Sequence, residues 1–91
     1  MTAAHRAALV DALSDITKAA QAGADAARDK SAEVLMRAAL TIRDTADAAR
    51  TRLVEEGDEY VPVAWAIVDT CRISLAETRL RISHRRKGRR K

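Results

Sequence analysis

The sequence predicts an all-α protein, a three-helix bundle with a basic C-terminal extension, on three observations. Apolar residues recur at alternating three- and four-residue spacing along most of the chain, which places them on single helical stripes. Glycine and proline bracket one clear break, from Glu56 to Pro62. No hairpin signal appears, and the only strictly alternating stretch, Arg79-Leu80-Arg81-Ile82-Ser83, has no second strand to pair with. That stretch is read as the last turns of a helix.

The first stripe is Leu9, Leu13, Ile16, Ala20, Gly23 and Ala27, and the second is Leu35, Ala38, Ala39, Ile42, Ala46, Ala49 and Leu53. Gly23 is the only candidate breaker between them, and the alanines around it are strong helix formers. One continuous helix from Thr2 to Glu56 would be about 80 Å long, and half of its stripe would lack a partner within the chain. A turn somewhere from Gly23 to Ser31 is therefore expected, with Asp25, Asp29 and Ser31 each able to cap a new helix. The alternative is a long helical hairpin that dimerises. In the next break Gly57 suits the end of the second helix, and Pro62 suits the first turn of the third. The third stripe is Ala64, Val68, Cys71, Leu75, Thr78 and Ile82.

Composition limits what such a bundle can bury. Of the 91 residues 47% are hydrophobic, but twenty are Ala, Phe is absent, and the aromatics are Tyr60 and Trp65 alone. Ala faces let helices approach closely while burying little area each, so the core is expected to be thin. Trp65, just inside the third helix, is expected to plug the end of that core, with Tyr60 closing the turn. Cys71 is the only cysteine, so no intramolecular disulfide can form, and a lone core thiol fits a reducing, cytoplasmic setting. No apolar run approaches about 18 residues, so no spanning helix is expected, and the charged N-terminal stretch does not read as a signal peptide.

The residues offer no catalytic constellation and no metal or cofactor site. Cys71 has no histidine nearby and lies on the core stripe. No His or Cys pair has ligand spacing, His84 lies among arginines, and the three glycines are isolated at 23, 57 and 88, so no phosphate loop forms. The carboxylates alternate with arginines, as in Glu33 with Arg37, Arg43 with Asp47, Arg52 with Glu56 and Glu77 with Arg81. These pairs are spaced to stabilise wet helical faces by about 0.2–0.5 kcal/mol each. A non-enzymatic protein is the expectation.

Charge is the informative property. Residues 79–91 hold eight of the seventeen Lys and Arg and no acid, leaving nine basic against thirteen acidic residues before them. The net charge of +4 therefore conceals an acidic body and a strongly basic end. Arg79, Arg81, Arg85, Arg86, Lys87, Arg89, Arg90 and Lys91 are the candidate nucleic-acid-binding residues, since guanidinium groups grip phosphate with two prongs. Helix is expected to continue into Arg85, Arg86 and Lys87, with Gly88 as a hinge; residues 1–83 would form the bundle and 84–91 a flexible tail. Aromatics for stacking single-stranded bases are missing from the tail, so weak engagement without strong base preference is expected. A membrane-surface helix would need more bulky apolar residues.

A second candidate surface lies off the stripes. At 100° per residue, Ile73 and Leu80 fall about 120–140° from the Val68 direction, and Met36 and Leu40 form a similar line on the second helix. Packing of the third helix on two sides, within the bundle or against another chain, would account for them.

Lys87-Gly88-Arg89-Arg90 resembles the minor-groove hook of AT-rich DNA binders, without the proline that follows Gly-Arg there. Trp65 is followed by Ala66 and Ile67, so the Trp-X-Gly motif of secreted helical hairpins is missing. Size and tail also resemble small phage-encoded proteins that occupy host factors. That resemblance implies the competing function, a protein-interaction regulator whose tail serves docking or solubility.

Overall fold

The computed structural model describes residues 3–85 and is all-α. Helix α1 spans Ala3–Asp29, α2 spans Glu33–Glu56, and α3 spans Val61–His84, with a short 3-10 turn at Gly57–Tyr60 between the last two. No strand occurs among the described residues. The helices run up, down and up. At one end Arg6 of α1 reaches Asp58 after α2, at 2.7 Å; at the other the Lys30 ammonium donates to the Ile82 carbonyl of α3, at 2.8 Å. No helix among the described residues is long and apolar enough to cross a membrane.

The chain thus turns twice, and the continuous first helix of the hairpin alternative does not form. The first turn falls at Lys30–Ala32, the far end of the expected window, and Gly23 lies buried inside α1. Ser31 takes a left-handed backbone with φ of 56°. The Ala32 amide donates to the Ala27 carbonyl at 2.8 Å and the Ser31 amide to the Arg28 carbonyl at 3.0 Å. This pair of bonds is the Schellman motif, which satisfies carbonyls left open at a helix end. Its apolar contact is present too, since Ala27 and Ala32 share a small cluster with Ile82. None of the three expected capping residues caps α2. Asp25 and Asp29 lie in α1, Ser31 is used to end that helix, and the cap position before α2 is held by Ala32, which makes no side-chain cap.

The second turn is built as the sequence predicts. Gly57 has φ of 70° and ψ of −138°, a conformation open to glycine, and Pro62 lies in the first turn of α3. Tyr60 is buried, and Arg52 stacks over its ring at 4.9 Å from the centroid.

All six residues of the first stripe and all six of the third are buried; Leu35 and Ala38 of the second are half-buried and its other five buried. Leu9, Leu13, Leu53, Val61 and Val68 are the largest fully buried side chains. Each contributes roughly 1.5–3 kcal/mol through burial. Alanines at 20, 46, 49 and 64 fill the narrow space between them.

Trp65 is corrected by this arrangement: it is 41% exposed and is not part of the core. It lies on the α1 side of α3, off the stripe, and the branched aliphatics with Tyr60 occupy the end it was expected to plug. The two-sided packing expected for α3 is absent within the chain, because Ile73 and Leu80 are 63% and 57% exposed. Their side faces away from both other helices, which already meet α3 on its single buried stripe.

Candidate nucleic-acid interface

The basic end is assembled from two distant parts of the chain. Ile82 is the last buried residue of α3, and helix ends two residues later at His84. Arg85 is extended, with φ of −80° and ψ of 127°, and its amide returns to the Ile82 carbonyl at 3.1 Å. The expected continuation of helix into Arg85 is therefore not formed. Beyond Ile82 no apolar side chain remains to hold a further turn against the bundle, and stacking Arg85 over Arg81 would put like charges four apart. Arg86, Lys87, Gly88, Arg89, Arg90 and Lys91 lie outside the described residues.

Lys30 joins this end from the α1–α2 turn. Its ammonium satisfies the Ile82 carbonyl where the partial negative charge of the α3 terminus is greatest. Lys30 and Arg79 also flank a shallow groove of about 330 Å³ between α1 and α3, lined otherwise by Ala19, Ala22, Gly23, Ala26, Ile82 and Ser83. No local sequence signal links Lys30 to the tail; only the up-down-up topology brings the first turn beside the end of α3.

Pairing separates these cations from the rest. Every ion pair among the described residues takes its arginine from α1 or α2: Arg6, Arg28, Arg37, Arg43, Arg50 and Arg52. Arg72, Arg79, Arg81 and Arg85 are in none of them, and all four are exposed. Two of the pairs expected from spacing form, Glu33 with Arg37 and Arg52 with Glu56, each at 2.7 Å. Arg43 turns away from Asp47 to Asp44 and to the Gln21 side chain of α1, because it lies half-buried between those helices. Among the described residues no ion pair joins Glu77 to Arg81.

The opposite end is acidic. Glu55, Glu56, Asp58 and Glu59 cluster at the α2–α3 turn, where Arg6 and Arg52 neutralise part of the charge. The hydrogen bond and charge of Glu56 hold the Arg52 guanidinium above its ordinary pKa. The 24 residues of α3 separate this cluster from the basic end by about 36 Å. Charge asymmetry along the sequence has become asymmetry along the bundle axis.

Burial pushes the Cys71 thiol up, away from the reactive thiolate. Among the described residues no group of three or more His, Cys, Asp or Glu could hold a metal ion.

Of the four off-stripe residues, Ile73 and Leu80 are exposed, while Met36 and Leu40 are half-buried. Met36 packs on the Ala27–Ala32–Ile82 cluster of its own chain. Compared with known proteins, the chain matches no family model, and no significantly similar relative or solved structure was found.

Proposed function

We propose that this is a small non-enzymatic helical protein whose basic C-terminal end engages nucleic acid, weakly and without strong base preference. The observation that carries this reading is the set of exposed, internally unpaired arginines Arg79, Arg81 and Arg85 leading into the basic segment that follows. A phosphate backbone can take up their charge, and no internal ion pair has to be broken first. The acidic cluster lies about 36 Å away, more than four screening lengths at physiological salt, so it opposes contact at the other end only weakly. Arg79 and Arg81 stand about 200° apart around α3 and Arg85 follows the helix end, so no single helix face presents all three to base edges, which favours backbone contact over sequence reading.

Retention on duplex DNA at about 50 mM salt tests the reading. The slope of log affinity against log salt is expected at about −3 to −4.5, from three to five phosphate contacts. Deleting residues 84–91 should abolish retention while leaving the helical melt almost unaltered, because Ile82 is the last buried side chain among the described residues. No retention of the full chain, or equal retention of the shortened one, overturns it. The second reading, a regulator that binds a protein partner, draws on exposed Trp65, Ile73 and Leu80.

A further inference from the structure

The outer face of α3 carries a second periodic pattern, opposite the core. Ala66, Asp69, Ile73, Ala76 and Leu80 follow one another at spacings of three and four, and every one of them is exposed. This is the seam spacing of a two-stranded coiled coil, with Ala66, Ile73 and Leu80 at one core position of the heptad and Asp69 and Ala76 at the other. Flanking positions then follow. Trp65, Arg72 and Arg79 border the seam on one side; Thr70, Glu77 and His84 border it on the other.

The flanks decide between partners and orientations. If two such faces met antiparallel, each border would face itself, placing Arg72 and Arg79 of one copy along the arginine border of the other. If they meet in parallel, each border faces its opposite, and a residue on the first side pairs with the residue five further on in the second chain. Arg72 then meets Glu77 of the other copy. Neither Arg72 nor Glu77, nor Asp69 in the seam, is in any ion pair among the described residues, so these charges are available to a second chain. Ile73 and Leu80 find self-complementary partners in the same register.

We propose that the outer face of α3 docks on the same face of a second copy, parallel and in register, so that two basic ends leave the dimer side by side. The interface is self-complementary about a two-fold axis running along α3, and both α1–α2 pairs stay outside it. With two large apolar residues per copy and an aspartate in the seam, the dimer is weak and reversible. Like charges of the adjoining tails oppose it, and a polyanion lying across both tails relieves that opposition. Nucleic acid and the second copy therefore bind with mutual enhancement. The docking stands on the α3 face alone; only its coupling to nucleic acid rests on the function proposed above.

Sedimentation equilibrium of the full chain and of the form lacking residues 84–91 tests the docking without reference to nucleic acid. A concentration-dependent dimer is expected in both, tighter in the shortened form. Asp69→Leu should tighten it at least tenfold, and the double change Ile73→Glu with Leu80→Glu should weaken it at least tenfold. All three positions are exposed, so the helical melt should barely move, and that melt is the check on folding. Orientation is read with Ala76→Cys in a glutathione redox buffer. Two position-76 thiols lose their hydrogens to oxidised glutathione and join as a disulfide-linked dimer if the helices are parallel, whereas wild type, with Cys71 buried, does not link. A shortened form that stays monomeric to about 1 mM even with Asp69→Leu overturns the docking, as does a dimer in which Ala76→Cys does not cross-link. Duplex DNA added to the full chain should then raise the dimer fraction severalfold. If the dimer forms but DNA has no effect, the coupling fails and the docking stands.

Discussion

The two turns of this bundle reverse the chain with similar economy and by different means. At the α2–α3 turn residue chemistry does the work: Gly57 adopts a backbone that other residues resist, and Pro62 fixes the next helix start. At the α1–α2 turn neither glycine nor proline is present. Ser31 is held left-handed by two backbone hydrogen bonds, by the Ala27–Ala32–Ile82 contact and by Lys30 bonded across to α3. One turn is local, while the other is enforced by residues that come together only in the folded bundle. That difference teaches where sequence reading succeeds, because local chemistry is written in neighbouring residues and packing is not.

The largest expected effect comes from breaking the packed turn. Ile82→Ala removes the one large residue of the small cluster and should cost about 2–3 kcal/mol. In hydrogen exchange the added opening should concentrate at residues 27–36, far away in sequence; exchange confined to α3 would show that the first turn stands without it. Next, Gly57→Ala should cost about 1–3 kcal/mol, mainly through backbone strain. A Cβ there would meet nothing closer than an Arg6 nitrogen at 3.9 Å, so steric conflict is small. A melting temperature lowered by roughly 4 °C or more checks this. The smallest effect sharpens the comparison by relocating a glycine. Gly23→Ala with Ser31→Gly should stabilise by about 1–2 kcal/mol in total, from better helix propensity at one site and relief of a left-handed serine at the other. A double variant no more stable than wild type in urea would mean that Ser31 bears no strain or that Gly23 is needed for packing.

Gly23 shows why the first turn was legible only to within several residues. It is the only glycine in the first half of the chain, so it reads as a breaker, yet it lies where all three helices meet. An added Cβ would sit 3.8 Å from the Ala39 Cβ and 4.0 Å from Ile82, ordinary contacts that fit an alanine. The stripes themselves were legible almost residue by residue, because burial follows the helical period. Trp65 was not. Scarcity of aromatics argued for a core role, but its angular position on α3 lies off the stripe, and position decided. Of the candidate interface, the arginines of the tail could be read directly. The contribution of Lys30 could not, since it depends on a contact between residues 52 apart in sequence.

Up-down-up topology also sets how the molecule carries mechanical load. The start of α1 and the end of α3 lie at opposite ends of the bundle, so tension applied between them runs along the helix axes. Under such a pull α1 and α3 slide past their neighbours in shear, and many side-chain contacts must give way together instead of peeling apart one after another. If the basic segment is anchored, the force enters the fold at Ile82, where the Lys30 bond crosses directly to the first turn.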